Sequence, residues 1–325
     1  MSTPTPSSPA RHVVFGAGAV GLHLAEALVR RGVPASDVRL VNRSGTAAAP
    51  AGVQTVGGDV LGDPDFAVTA ARGATVVYQV LNPAYHRWAE EFPVLQDRVL
   101  DAAARAGARL VTLENVYAYG RLAPGRTLTE DTPFDAHTRK GAVRARMHLD
   151  LMAAHDAGRV EVTVGRASDY YGPRAGIQSP LGTPVLKAAR SNGKAQVVGD
   201  ADQPHSYTYL PDIAEGLAVL GEHSDAVGRV WHLPNDPRTQ TTRQMIDTLY
   251  RLAGHGRARL TRTPAWLLCG VGLFQPAAGE VVEMIYEFEE PFVVDSSRIA
   301  EKLGVAATPI DEALAATLRA FTRGT

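Results

Sequence analysis

The sequence predicts an α/β protein, a parallel sheet covered by helices on both faces, with a smaller, mostly helical lobe toward the carboxyl end. Three observations lead there. Short apolar strand segments alternate with Ala/Leu-rich helical segments through the first half of the chain. A glycine-rich turn separates the first strand from the first helix. After Tyr171-Gly172-Pro173 the alternation loosens, and Gly176, Pro180, Gly182 and Pro184 follow in quick succession.

The elements read in order as follows. His12 to Phe15 is the first strand. An Ala/Leu-rich helix runs from about Ala19 to Arg31, and Gly32 stops it. Val38–Val41 is the second strand and ends at Asn42-Arg43-Ser44. Further strands are expected at Val53–Val56, Thr75–Val80, Arg109–Leu113 and Val160–Val164. Helical stretches separate them at Pro64–Arg72, Tyr85–Ala106 and Arg139–His155. Leu210–Leu220 is expected to be a helix that returns to the main domain, and Arg229–Leu233 its last strand. Residues 11–170 with about 205–235 are therefore expected to form the main domain. Residues 171–204 with 236–325 form the second lobe, and residues 1–10, rich in Ser, Thr and Pro, a disordered tail.

Composition narrows the function classes. The 325 residues carry a formal net charge of −1, which removes the electrostatic footprint of a nucleic-acid binder. One cysteine, Cys269, excludes an internal disulfide framework and a multi-cysteine zinc site, and fits a reducing, cytoplasmic setting. No histidine pair has zinc-like spacing, so no metal is expected. The apolar run Ala265–Phe274 is shorter than the ~20 residues that span a bilayer, so no membrane partner is expected. That run, with Trp266, Leu267, Leu268 and Phe274, is expected in a buried or pocket-lining helix.

The run Val13-Val14-Phe15-Gly16-Ala17-Gly18-Ala19-Val20-Gly21 matches G-x-G-x-x-G between a strand and a helix. Gly16 allows the tight turn and Gly18 lets the backbone approach a pyrophosphate. Gly21 lets the helix pack on the strand, while the amides at Ala19 and Val20 face the phosphates. A Rossmann-type, doubly wound domain that binds a dinucleotide follows from this context. The end of the second strand indicates which dinucleotide. Asn42, Arg43 and Ser44 stand where an acidic residue would bind the ribose 2′-hydroxyl of NAD(H). An arginine fork takes a 2′-phosphate, so NADP(H) is favoured and NAD(H) is the alternative. Asp59, followed by Val60, is either an adenine contact or a turn aspartate. Leu81 and Asn82 follow the fourth strand at the ligand end of the sheet. Asn82 either meets cofactor or substrate, or caps the helix before Pro83.

The series Gly16–Gly21, Asp59-Val60, Tyr119-Gly120, Tyr171-Gly172-Pro173 and Tyr209-Leu210-Pro211-Asp212-Ile213-Ala214 resembles the extended short-chain dehydrogenase/reductase superfamily, often labelled NAD-dependent epimerase/dehydratase. The likeness spans almost the whole chain. It implies a seven-stranded sheet, a carboxyl-terminal substrate lobe, and homodimers through the helices at Tyr85–Ala106 and Arg139–His155. It also implies a Tyr-x-x-x-Lys acid/base pair with a Ser or Thr. In this chain Asn115 falls at the Ser/Thr position; with Lys140 at the lysine position Ala136 stands where the tyrosine belongs, and in the alternative register Lys140 takes the tyrosine position and Arg144 the lysine position, so the pair is broken either way. Nucleotide-sugar members often carry an arginine before Y-x-x-D; Pro204-His205-Ser206 occupies that stretch here.

The chemistry must then come from other groups. Tyr117 is the first choice as proton donor, with Asn115 orienting the substrate and Lys140 on the cofactor ribose. Glu114 belongs to the same segment. Tyr119, Tyr170, Tyr171 and His205 are expected on the substrate side and Asp169 beside the nicotinamide, with Tyr170 or Tyr171 the alternative donor. Three functions fit these residues. The leading one is NADPH-dependent reduction of a small carbonyl or sugar-derived compound. The others are an NAD-dependent epimerase or dehydratase of a sugar derivative, and a non-catalytic dinucleotide-binding regulator.

Overall fold

A computed structural model describes residues 11–263 and 282–323. The chain divides into two compact units. The first runs through Glu114 and adds Ala142–Arg166 and Ile213–Trp231; the second takes Asn115–Gly141, Ala167–Asp212 and the described residues from His232 onward. The segments that leave the strands at Asn115 and Ala167 thus group with the carboxyl-terminal part. The tail at residues 1–10 and the apolar run around Trp266, together with Cys269, lie outside the described residues.

The first unit is built on β1 (His12–Phe15), β2 (Val38–Asn42), β3 (Gln54–Gly57), β4 (Val76–Gln79), β5 (Arg109–Asn115), β6 (Val162–Ala167) and β11 (Val230–His232). They form one seven-stranded sheet in the order β11-β6-β5-β4-β1-β2-β3. The pairs β1–β2, β1–β4, β2–β3 and β4–β5 are parallel, as the strand–helix alternation requires. The order steps outward from β1 in both directions, so the loop after β1 lies at the reversal point where open α/β sheets take ligands. Helices α1 (Ala19–Arg30), α2 (Phe66–Ala70), α3 (Trp88–Ala106), α4 (Arg139–Asp156) and α6 (Leu210–Glu222) connect the strands. The β-branched interior of the strands explains the core, where Val13, Phe15, Val41, Val77 and Leu110 meet Phe66, Val99 and Leu151 from the helices. Each large side chain buried there contributes about 1.5–3 kcal/mol.

Several elements depart from expectation. The strand expected at Val160–Val164 lies at Val162–Ala167, and β5 continues two residues beyond Leu113. The stretch from Tyr85 opens as a single 3-10 turn before α3 begins at Trp88. The second unit is less purely helical than expected. It pairs β7 (Asp169–Tyr171) with β10 (Tyr207–Tyr209), β9 (Pro204–His205) with β12 (Gln240–Thr241), and β8 (Lys194–Val198) with β13 (Arg259–Thr263). Strands this short leave too few alternating residues for a period of two to be read. Helices α5 (Thr183–Arg190), α7 (Thr242–Leu252) and Ile310–Arg323 close a core around Leu186, Ile246, Leu249 and Leu314. The Y-x-x-D-I-A segment has a structural part here. Both carboxylate oxygens of Asp212 accept from Thr308, its N–H and its hydroxyl, at 2.7 Å each.

Candidate functional site

The turn after β1 shows why two of its glycines are obligatory and the third is not. Gly16 has φ +116, and a Cβ there would meet the Val80 carbonyl at 2.9 Å. A Cβ on Gly21 would lie 1.9 Å from the Gly16 carbonyl oxygen. Gly18 differs: it has ordinary extended backbone, φ −77 and ψ −165, and a Cβ there would find nothing within 4 Å. It is the N-cap of α1 and offers no side-chain cap, so the first amides of the helix, at Ala19 and Val20, lack a capping side chain. The result is a bare backbone surface in front of a helix N-terminus, suited to a phosphate.

At the end of β2, Asn42 and Ser44 are occupied by their own turn. Asn42 Nδ2 donates to the Thr46 carbonyl at 2.7 Å and its Oδ1 accepts from the Gly45 N–H at 2.8 Å. Ser44 Oγ donates to the Thr46 carbonyl at 3.3 Å. Arg43 is exposed and has no hydrogen-bond or ion-pair partner among the described residues. Asp59 Oδ1 accepts from the Leu61 N–H at 2.9 Å, the geometry of a turn aspartate, and Val60 is core. The Leu81 N–H donates to Gln79 Oε1 at 2.8 Å. Asn82 caps no helix: Ala84 and Arg87 hold the cap positions, and the Asn82 amide is exposed without a partner among the described residues.

In the second unit Asn115, Tyr117 and Lys140 come together. Asn115 Oδ1 accepts from the Tyr117 N–H at 3.3 Å. The Tyr117 carbonyl then passes so close to Gly141 that a Cβ there would meet it at 2.6 Å. Tyr117 is partly buried. Lys140 is neither solvated nor uncommitted. It is 2% exposed; its Nζ donates to Glu283 Oε2 at 2.7 Å and its N–H donates to Glu283 Oε1 at 2.8 Å. Nothing in the sequence points to Glu283, which lies 143 positions away. Tyr119, expected on the substrate side, is interior, and its hydroxyl donates to His232 Nε2 at 2.7 Å. The other ring nitrogen of His232 donates to the Asp295 carbonyl at 2.7 Å, which fixes the tautomer.

Asp169, Tyr170, Tyr171 and His205 also share one region of this unit. Tyr171 is buried, its ring 5.4 Å from that of Tyr209. Burial, and then the Asp169 charge, raise the Tyr170 phenol. His205 is 3% exposed; its Nδ1 lies 3.0 Å from the Glu287 carbonyl and its Nε2 2.9 Å from Asp169 Oδ2. Burial pushes the Glu287 carboxyl well above its ordinary range and the Asp169 charge adds to this, against a hydrogen bond from Tyr286.

Glu114, expected near the chemistry, instead belongs to a buried ionic cluster of the first unit. Arg166 donates to it at 2.6 and 3.1 Å, and His148 Nδ1 lies 3.3 Å away. Burial alone would raise the Glu114 carboxyl, but the Arg166 guanidinium and His148 overcome it and hold it well below the usual range.

With this geometry in place, the chain is comparable to known proteins. The model of the NAD dependent epimerase/dehydratase family matches residues 13–233. A dTDP-glucose 4,6-dehydratase of Streptomyces griseus is 27% identical over 222 residues, 68% of this chain and 61% of its own length. An uncharacterized protein of Sinorhizobium fredii is 25% identical over 154 residues, 46% of this chain and 42% of its own. The matched region thus covers less than two thirds of either curated relative. Among solved structures, a dTDP-glucose 4,6-dehydratase of Streptomyces venezuelae holding NAD shares the fold at TM-score 0.76 and 19% identity, over 96% of this chain and 97% of its own. A UDP-glucuronic acid 4-epimerase of Bacillus cereus, also with NAD, shares it at TM-score 0.73 and 15% identity, over 96% and 99%.

Proposed function

The chain belongs to the NAD-dependent epimerase/dehydratase family, and from that premise we propose that it is an oxidoreductase binding a nicotinamide dinucleotide along Gly16, Gly18 and Gly21 and acting on a small hydroxyl- or carbonyl-bearing substrate. Gly18 carries the proposal. Neither its backbone angles nor any neighbour requires glycine, so its missing side chain is explained by the close approach of a ligand. The free amides at Ala19 and Val20 suit a pyrophosphate. When bound, the dinucleotide supplies hydride exchange at its nicotinamide.

The chain's own groups then divide the remaining tasks. Arg43, exposed and without a partner among the described residues, suits a 2′-phosphate and favours NADP(H). Asn82 keeps its amide for a ligand. Tyr117 is assigned the proton transfer, since it is the partly buried tyrosine whose N–H donates to Asn115, while the Tyr119 hydroxyl is held by His232 in the interior. Lys140 reaches a ribose only by leaving Glu283, so we assign it to orienting the turn at Tyr117 rather than to catalysis.

A second reading, an NAD-dependent epimerase or dehydratase of a nucleotide sugar, is favoured by what the similar proteins are named. Fluorescence titration of the purified chain with NADH and NADPH separates the two. Tighter binding of NADPH, lost on Arg43→Ala, supports the first. Tighter binding of NADH, indifferent to Arg43→Ala, supports the second. Failure to bind either would remove both.

A further inference from the structure

The carboxylate of Glu283 holds two donors of one residue. Its Oε1 accepts from the Lys140 N–H at 2.8 Å and its Oε2 from Lys140 Nζ at 2.7 Å. Lys140 is the second residue of α4, so its N–H is one of the first amides of the helix, which have no intrahelical acceptor. Its Nζ is a buried charge, which is costly without a carboxylate. One side chain meets both needs. Three stretches of the second unit are tied in series through this contact. The turn at 117–120 packs on 135–141: the Asp135 N–H donates to the Tyr119 carbonyl at 3.3 Å, and a Cβ on Gly120 would meet the Asp135 carbonyl oxygen at 1.9 Å. The middle stretch in turn meets 283–286. Besides the Lys140 contact, Thr138 Oγ1 accepts from the Gly141 N–H at 3.0 Å and donates to Met284 Sδ at 3.6 Å. The His137 ring stands edge-on to Tyr286 at 4.6 Å. Because Gly141 leaves no room beside the Tyr117 carbonyl, the first turn of α4 cannot shift toward Tyr117 without displacing it.

We propose that Glu283 is a positioning residue for Tyr117, acting through Lys140 and Gly141, so that the lysine of this chain serves as a clamp on the turn that carries the proton donor. The far half of the same segment is held by other bonds. The Phe288 carbonyl accepts from the Asp200 N–H at 2.7 Å, and Arg262 donates to Glu289 at 2.6 and 2.8 Å. Phe292 exchanges backbone bonds with Pro204 and Ser206 at 2.8 and 2.9 Å. The Glu287 carbonyl therefore keeps its place against His205 Nδ1 whether or not Glu283 is bound, and the His205 ring reports on the segment as a whole. The inference rests on the proposed function only in taking Tyr117 as the donor.

The test follows three NMR signals in the full chain, labelled in its tyrosine, lysine and histidine side chains: the Tyr117 ring, Lys140 Nζ and the His205 ring. Tyr117→Phe, Lys140→Met and His205→Gln assign them. Glu283→Leu removes both contacts, and is expected to abolish the Lys140 Nζ signal and displace the Tyr117 ring signal. Glu283→Gln keeps an oxygen for the Lys140 N–H but turns an NH2 group toward Nζ, a donor against a donor. It should lose the Nζ signal too, with a smaller displacement at Tyr117. Lys140→Met removes Nζ alone and should reproduce the Tyr117 displacement of Glu283→Gln. The His205 signals should stay where they are in all of these variants. Melting curves identify a variant that does not fold, and the isosteric Glu283→Gln keeps the test open if Glu283→Leu is one. A Tyr117 signal unmoved in a folded Glu283 variant would overturn the proposal. So would His205 signals displaced as far as that of Tyr117, which would mean that the segment had only loosened. NADH and NADPH affinity and the turnover of Tyr117→Phe test the proposed function separately, since their outcome alters none of these signals.

Discussion

Replacing Gly18 by alanine separates what the fold needs from what a ligand needs. The backbone there, φ −77 and ψ −165, is open to any L-residue, and the new methyl would meet no protein atom within 4 Å. Two small stability effects oppose each other. Alanine is a poorer N-cap than glycine, at a cost of about 0.5–1 kcal/mol, and it restricts the unfolded chain, a gain of about 0.4–1 kcal/mol. They nearly cancel, so the melting temperature should stay within about 3 °C of the wild type. Binding has no such compensation. A methyl in front of the Ala19 and Val20 amides holds a pyrophosphate away from them, and one lost charge-assisted hydrogen bond is worth roughly 1.5–3 kcal/mol. The expected loss is about 10- to 100-fold in affinity for NADH and NADPH alike. Fluorescence titration measures the affinity, and a thermal melt of the same sample measures the fold. Gly21→Ala is the contrasting control. Its Cβ would sit 1.9 Å from the Gly16 carbonyl oxygen, so fold and binding should fail together. If Gly18→Ala binds either dinucleotide as the wild type does, the turn is not the binding surface and the reasoning from its bare backbone is refuted.

Arg43→Ala should weaken NADPH by about tenfold or more while leaving NADH unchanged, because only the 2′-phosphate would meet the exposed guanidinium; an equal loss for both would remove Arg43 from cofactor choice. Tyr117→Phe should lower turnover by about 100-fold with dinucleotide affinity intact, and unchanged turnover would exclude Tyr117 as donor. Glu114→Gln leaves Arg166 buried without its carboxylate and should cost about 3–5 kcal/mol in chemical denaturation. The folded Glu114 carboxyl is held below its unfolded value near 4.3, so its contribution is complete above that pH and disappears as pH falls further; the wild type should lose this stability in acid and Glu114→Gln should not. Glu287 has the opposite sign. Its folded carboxyl is raised, so its contribution is present below the unfolded value and is lost as pH rises toward the folded one. Glu287→Gln should therefore melt higher than the wild type at neutral pH and no higher in acid; a lower neutral melt would contradict a protonated Glu287.

The alternation of strands and helices and the spacing of Gly16, Gly18 and Gly21 were legible because each is local. A period of two or 3.6 residues, and a turn that admits only glycine, are set by neighbours within a few positions. His12–Phe15 was placed to the residue, and the seven-stranded order follows from the parallel connections that such alternation enforces. The sequence likewise exposed Ala136 where a catalytic tyrosine was expected, since a missing side chain needs no contact to be seen.

What depended on distant contact was not legible. Lys140 was read as a group for the cofactor, yet Glu283 binds it from 143 positions away. Tyr119 was read as facing substrate, yet its hydroxyl belongs to His232, and Glu114 to Arg166. His205 and Asp169 were each singled out, but for different ligands; only the fold shows that they hold each other. A side chain's commitment depends on which donors and acceptors tertiary packing brings within about 3 Å, and spacing along the chain carries no record of that. By itself, then, the sequence determined the sheet, the glycine turn and the absent tyrosine, because backbone geometry and residue type decide them locally. The tertiary structure decided which polar groups remain free to meet a ligand, because burial commits the others to partners within the protein.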